Sequence, residues 1–210
     1  DMSRMGWLVN EDGYGRMHLW DMNNNVAVPA PALDGIIDGG AFIGNDAVLI
    51  SYNSAVNPPD IWRWDITTSK LTQLTYAVSA GIDRSIFVKP ELLKFPSFDG
   101  LQISGFLLMP PGKKKGDKVP MIISAHGGPE SQHRPYFARS FQYYALNGFG
   151  VFALNPRGSS GYGRDFLDMD NYKDRWKSVK DYEAATKWLA EEGYATPGVS
   201  GSPAAHTAAT

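Results

Sequence analysis

A short apolar run, Met121-Ile122-Ile123-Ser124-Ala125, leads straight into His126-Gly127-Gly128-Pro129. A buried strand that ends this way has a use in acyl transfer. Glycines let the backbone approach a substrate carbonyl, and their N–H groups stabilise the oxyanion that develops during attack. One such donor comes from a His-Gly-Gly-type loop after a central strand, the other from the residue that follows the nucleophile. Gly128 or Gly127 would supply the first. Taken alone, the motif reads equally as a tight loop whose glycines serve only geometry.

Chemistry of this kind needs a rigid scaffold, and the flanking sequence predicts one. A helix is expected over 135–146, with Phe137, Phe141, Tyr144 and Ala145 on one face and Asn147-Gly148 as its stop. A second buried strand follows at 150–154. It opens into a long Gly-rich loop, Asn155-Pro156-Arg157-Gly158-Ser159-Ser160-Gly161-Tyr162-Gly163. Asp174 is placed to cap a helix over 175–192, whose apolar stripe is Trp176, Val179, Tyr182, Ala185, Trp188 and Leu189, with Gly193 closing it. Strand, helix, strand, helix implies a parallel sheet covered by helices. Before it, 95–98 and 103–109 read as strands about the turn Asp99-Gly100. The loop 110–119 carries Lys113, Lys114, Lys115 and Lys118, a pattern of a solvated turn.

Residues 1–82 have a different period. Segments 6–10 and 16–21 flank a Gly-rich hairpin turn, and 47–52 and 61–66 form a similar pair. The second strand of each pair carries a Trp-Asp pair, and Trp20-Asp21 and Trp64-Asp65 stand 44 residues apart. Four-stranded propeller blades repeat at about 40–45 residues. Each aromatic would pack between blades and each Asp would sit near the following turn. Two unrelated hairpins of a β-sandwich would give the same local pattern. The expected organisation is thus a partial β-propeller of two blades over 1–82, a linker at 83–92, a sheet-and-helix domain over 93–197 and an aberrant tail over 198–210.

The chain has 210 residues, 43% hydrophobic and 20% charged, the make-up of a globular protein with a real core. Its formal net charge of −2 gives no electrostatic footprint for nucleic acid or an anionic membrane. Cysteine is absent, which excludes disulfides, Cys-based zinc sites and a thiol nucleophile. No apolar run approaches the roughly 20 residues of a membrane helix. The first residue is Asp1 and no signal-peptide pattern follows. The native start is therefore expected upstream, and a cytoplasmic location is favoured.

Taken together, His126-Gly-Gly-Pro-Glu-Ser-Gln, Gln142, the Asn155 to Arg164 block, Trp176 and Asp181 resemble the prolyl oligopeptidase family, in its acylaminoacyl-peptidase and dipeptidyl-aminopeptidase branch. Phe98-Asp99-Gly100 with Ile103 and Gly105, then Pro110-Pro111, match the entry into that family's catalytic domain. The likeness is close over 85–195 and loose over 1–84. It implies a serine peptidase for short peptides, with a propeller ahead of an α/β-hydrolase domain, and no metal or organic cofactor. By the same resemblance Gly128 is the backbone oxyanion donor and Gly127 shapes the turn. His126 and Pro129 belong to the same active-site loop, His126 positioning it without being the triad base. Asn155 and Arg157 order the neighbouring loop. For Arg157, Tyr162 and Asp181 a structural role stands beside substrate contact.

The family's nucleophile, a Ser on a Gly-x-Ser-x-Gly turn, should follow the helix that ends near Glu192, with Asp and His later in the chain. The sequence reads Gly198-Val199-Ser200-Gly201-Ser202-Pro203 instead. Ser200 lacks the fifth-position glycine, and His206 lies too near it to be the base. No catalytic Ser, Asp or His is therefore expected in this chain, and no hydrolytic activity. One allowed set of codons for 197–210, read two nucleotides later, gives Gly-Arg-Ile-Gly-Val-Ser-Gly-Gly-Ser-Tyr-Gly-Gly-Tyr, which resembles the family's nucleophile strand and turn. The tail is thus expected to be an out-of-frame reading, against a genuine divergent tail, and the coding DNA decides between them. Two other functions remain: a non-catalytic binding module, and another α/β-hydrolase such as an esterase.

Overall fold

Alternating apolar residues around tight turns build the first half of the chain into antiparallel sheets. The computed structural model describes residues 3–78, 80–128 and 130–201. These fall into two compact units. One comprises the chain to Ser85 together with Arg134–Phe137, the other Ile86–His133 and the residues from Ala138 onward.

In the first unit, β1 (Arg4–Glu11) and β2 (Tyr14–Asp21) form a hairpin that β3 (Val26–Val28) extends. The turn residues Asp12 and Gly13 both have positive φ, +50° and +91°, as a two-residue hairpin turn requires. A second antiparallel sheet holds β4 (Ile36–Ile43), β5 (Ala47–Asn53), β6 (Asp60–Asp65) and β7 (Leu71–Gln73) in sequential order. Gly15 lets the two sheets approach, since a Cβ there would stand 2.5 Å from the Ile37 nitrogen. The core is Leu19, Ile37, Val48, Ile50, Tyr52, Trp64 and Ile66.

The two Trp-Asp pairs end β2 and β6. Each Asp accepts from the turn that follows: Asp21 Oδ1 from the Asn23 and Asn24 N–H groups, both at 3.0 Å, and Asp65 Oδ1 from Thr68 N–H at 2.9 Å. Trp64 is fully buried while Trp20 is only half-buried.

The second unit is one five-stranded sheet with helices. Its strands are β8 (Glu91–Pro96), β9 (Gln102–Leu108), β10 (Val119–Ser124), β11 (Gly150–Asn155) and β12 (Ala195–Gly201), in the order β12-β10-β11-β9-β8. Helix α1 (Arg139–Leu146) joins β10 to β11. A short α2 (Arg164–Leu167) and the long α3 (Arg175–Glu191) lead on to β12. Strands β12, β10 and β11 are parallel. The sheet expected to be parallel is therefore mixed, because the tight turn at Asp99-Gly100 can only return β9 antiparallel to β8, and β9 then pairs antiparallel with β11. Strand β11 is buried at every position, as the apolar run 150–154 demands of a central strand, and its one polar residue, Asn155, closes it.

Two helical expectations shift. The helix foreseen from 135 begins at Arg139, because Arg134–Phe137 bonds within the first unit: Arg134 Nε donates to Gly13 O at 2.8 Å and Phe137 N to Asn53 Oδ1 at 2.9 Å. In α3 the buried line is Asp181, Ala185 and Leu189, at four-residue spacing. Trp176 and Val179 fall off that line and are 48% and 66% exposed, so the apolar stripe holds only in its second half. Asp174 makes no side-chain cap and instead pairs with Lys177 at 3.0 Å. Strand β12 runs through positions 197 and 198, where composition had set a boundary. No described helix is long and apolar enough to cross a membrane.

Candidate active-site turn

Strands β10 and β11 lie side by side and parallel, with Ser124 level with Ala153, so both chains emerge at the same edge of the sheet. From β10 the path crosses through α1 to β11 on one side. From β11 it returns through α3 to β12 on the other side of β10. A reversal of strand order at the carboxyl ends opens the crevice in which open α/β sheets bind ligands. The His126-Gly127-Gly128 turn leaves β10 there, and the loop from Pro156 to Gly163 leaves β11 beside it. Gly128 has φ +56°, and a Cβ added to it would meet nothing within 4 Å. Pro129 and His206 lie outside the described residues. Ser200 is on β12, its backbone level with Met121.

His126 links the two loops, its Nε2 lying 3.0 Å from Ser159 Oγ. Ser159 gives its own proton to Pro156 O at 2.6 Å, so the imidazole must carry its proton on Nε2 and donate it to the hydroxyl. A Ser–His pair at this distance invites a nucleophile reading, and the surroundings refuse it. Ser159 is 0% exposed and its proton is committed to a carbonyl, while His126 Nδ1 has no carboxylate, or any other hydrogen-bond partner, to orient it. Burial, the largest influence, holds the His126 pKa below its ordinary value, against a smaller raising effect of the neighbouring Gly127 and Gly128 backbone.

Beneath the turn, Asn155 is fully buried and bonds three ways. Its Oδ1 accepts from His133 N at 2.6 Å, and its Nδ2 donates to His133 O at 2.9 Å and to the Tyr162 hydroxyl at 2.8 Å. Ser104 Oγ also donates to Tyr162, at 2.8 Å. The His133 ring stacks edgewise on His126 with centroids 5.3 Å apart. Burial, then the neighbouring His126, push the His133 pKa down to about 4, so the ring is neutral at neutral pH.

Arg157 fastens the second loop from the other side. Its Nη1 and Nη2 meet Asp99 at 2.8 and 2.9 Å in a two-pronged pair, and its Nε and Nη2 meet the wholly buried Asp181 at 3.0 and 2.9 Å. The guanidinium also lies 4.8 Å over the Phe98 ring. Hydrogen bonding to Arg157 holds the Asp99 pKa down at about 2. Burial alone would lower the Arg157 pKa, yet the bonds to Asp99 and Asp181 outweigh it and the net shift is upward.

The residues singled out from sequence therefore gather at one sheet edge. His126, Gly127 and Gly128 form the turn, and Asn155, Arg157 and Tyr162 brace the adjoining loop. Ser159, Ser104 and His133 were not singled out. Ser159 was at least inside the Gly-rich loop. No local pattern marks Ser104 or His133, whose partners lie far away in sequence.

Comparison with known proteins follows the same lines. Residues 135–200 match the model of the prolyl oligopeptidase family (Peptidase_S9). The uncharacterized peptidase YuxL of Bacillus subtilis is 32% identical over 96 residues, which is 46% of this chain and 15% of that protein. Dipeptidyl aminopeptidase BIII of Pseudoxanthomonas mexicana is 25% identical over 154 residues, 70% of this chain and 22% of that one. The chain thus spans less than a quarter of either relative. Among solved structures, Pyrococcus horikoshii acylaminoacyl peptidase superimposes with a TM-score of 0.74 at 23% identity, covering 96% of this chain and 31% of its own. A Mycobacterium tuberculosis puromycin-hydrolyzing peptidase gives 0.78 at 22% identity, covering 95% and 31%. At such identities the structural likeness speaks for the fold.

Proposed function

We propose, on the premise that this chain is a member of the prolyl oligopeptidase family, that it forms the oxyanion side of a serine peptidase acting on short peptides, of the acylaminoacyl- or dipeptidyl-peptidase kind. The first unit then supplies propeller blades and the second the leading part of an α/β-hydrolase domain. The observation that carries this reading is the position of the His126–Gly128 turn: at the carboxyl end of β10, where the strand order reverses, with Gly128 in a left-handed conformation and open space before it.

In this mechanism a serine, activated by a His–Asp pair, attacks the peptide carbonyl. As the carbonyl oxygen gains charge, the backbone N–H of Gly128 donates to it, with Gly127 shaping the turn. The donor costs little reorganisation because His126, Ser159 and Asn155 already fix the two loops. Nucleophile, acid and base are supplied by residues other than these 210, so the chain alone does not turn over substrate.

The test compares the 210-residue chain with the full-length gene product on chromogenic acyl-peptides, dipeptides and simple esters. The expected outcome is peptide cleavage by the full-length protein, blocked by a serine-directed phosphonate, and none by the chain alone. Serine-dependent turnover by the chain, or cleavage of esters only, would overturn the proposal.

A further inference from the structure

We propose that His126 and His133 together form a two-imidazole site for a borderline-soft divalent cation such as Zn2+ or Co2+. Each ring leaves one nitrogen unused. His126 commits Nε2 to Ser159, and its Nδ1 is buried without a hydrogen-bond partner; His133, 5% exposed, has its Nε2 buried and equally unpartnered. A buried acceptor without a donor is a cost that native structures relieve with a bound water or an ion.

The spacing favours an ion. The two centroids are 5.3 Å apart with the planes 69° to one another. Two imidazoles that share one tetrahedral ion at nitrogen–metal distances of about 2.0–2.1 Å have centroids roughly 5 Å apart. The Ser159 contact also matches how proteins prepare a histidine ligand, with the far ring nitrogen donating to a protein acceptor so that the metal-facing nitrogen keeps its lone pair. Burial keeps both rings neutral, the form that binds metal. Among the described residues no third His, Asp or Glu joins them, so solvent or carbonyl oxygens complete the shell and the affinity is modest. Occupation would pin the turn next to Gly127 and Gly128.

The test needs no turnover, so it stands apart from the peptidase reading. The 210-residue chain is titrated with Co2+ and its visible d–d absorption recorded, followed by competition with Zn2+. One equivalent with a tetrahedral band is expected. His126→Gln and His133→Gln should each weaken binding at least tenfold, while His18→Gln and His206→Gln leave it unchanged. Far-UV circular dichroism checks that each variant is folded. Should the His126 or His133 variant fail to fold, ring 15N shifts of the unaltered chain on adding Zn2+ decide: movement at His126 Nδ1 and His133 Nε2 supports the site, and its absence overturns it. No tetrahedral band up to millimolar Co2+, or a band retained by a folded His133→Gln, overturns it as well.

Discussion

Arg157 holds Asp181 with backbone and side chain at once: its N–H donates to Asp181 Oδ2 at 2.9 Å, while Nε reaches both carboxylate oxygens at 3.0 and 3.2 Å. Both side chains are out of solvent, 4% and 0% exposed. This pair ties the loop after β11 to α3, and the consequences of cutting it are unequal. Arg157→Ala leaves Asp181 charged and buried with Ser97 Oγ as its remaining side-chain donor, a loss of about 3–5 kcal/mol. Asp181→Ala should cost less, since Arg157 keeps its bidentate contact with Asp99. Asp99 is 40% exposed, so Asp99→Ala should cost about 1 kcal/mol or less. Urea unfolding of the three variants at neutral pH ranks them.

Acid should weaken the fold in two successive windows. His133 titrates near 4 when folded and near 6.5 when unfolded, so the unfolded chain binds more protons between those values. The contribution is complete above about pH 6.5 and is lost as the pH falls to about 4, a matter of about 3 kcal/mol. Asp99, held near 2 against an ordinary 3.8, contributes above its ordinary value and loses that contribution only as the pH drops toward 2. Unfolding free energies against pH check both: His133→Gln should flatten the upper window, and Asp99→Asn the lower.

Gly158 is irreplaceable for two separable reasons. Its φ is +89°, and a Cβ there would stand 2.5 Å from Asp170 Oδ2. Gly158→Ala is expected to cost about 1–2 kcal/mol for the left-handed backbone and roughly 1–3 more for the crowding. Adding Asp170→Ala relieves the second part only, and a double-mutant cycle in urea separates them.

Ser159→Ala offers a discriminating result. Without the hydroxyl, His126 Nε2–H and the Pro156 carbonyl lose their shared partner, for about 1–3 kcal/mol of stability. On the proposed serine-peptidase reading, the full-length gene product carrying the same variant is still labelled by a serine-directed fluorophosphonate, because that reading places the nucleophile elsewhere than Ser159. Loss of labelling in a folded variant would reverse that assignment.

Much of the scaffold is legible in the residues because local pattern and tertiary need agree. Strand β11 is apolar up to its last residue, Asn155, and buried throughout, and α3 ends within a residue of where Gly193 predicts. Strand β4 is not legible: Asp38-Gly39-Gly40 breaks its alternation, and pairing with β5 sets it as a strand, with a register shift between Ile37 and Gly39. Strand β12 is equally silent, its small residues ordered by the edge of β10. At the site, the glycines announce themselves by type. Their braces Asn155 and Arg157 are named only through the family resemblance, and the pairings they make are not legible, since Asn155 bonds His133 across 22 positions and Arg157 bonds Asp99 across 58.

The four residues Arg134–Phe137 make the first unit discontinuous along the chain. Arg134 bonds the Gly13 carbonyl and approaches Asp38 at 3.5 Å, contacts that a polypeptide ending at Ser85 would forfeit. Excising the blade-like half as a stand-alone module by a single cut therefore yields an incomplete body. A faithful dissection would have to graft this tetrapeptide back.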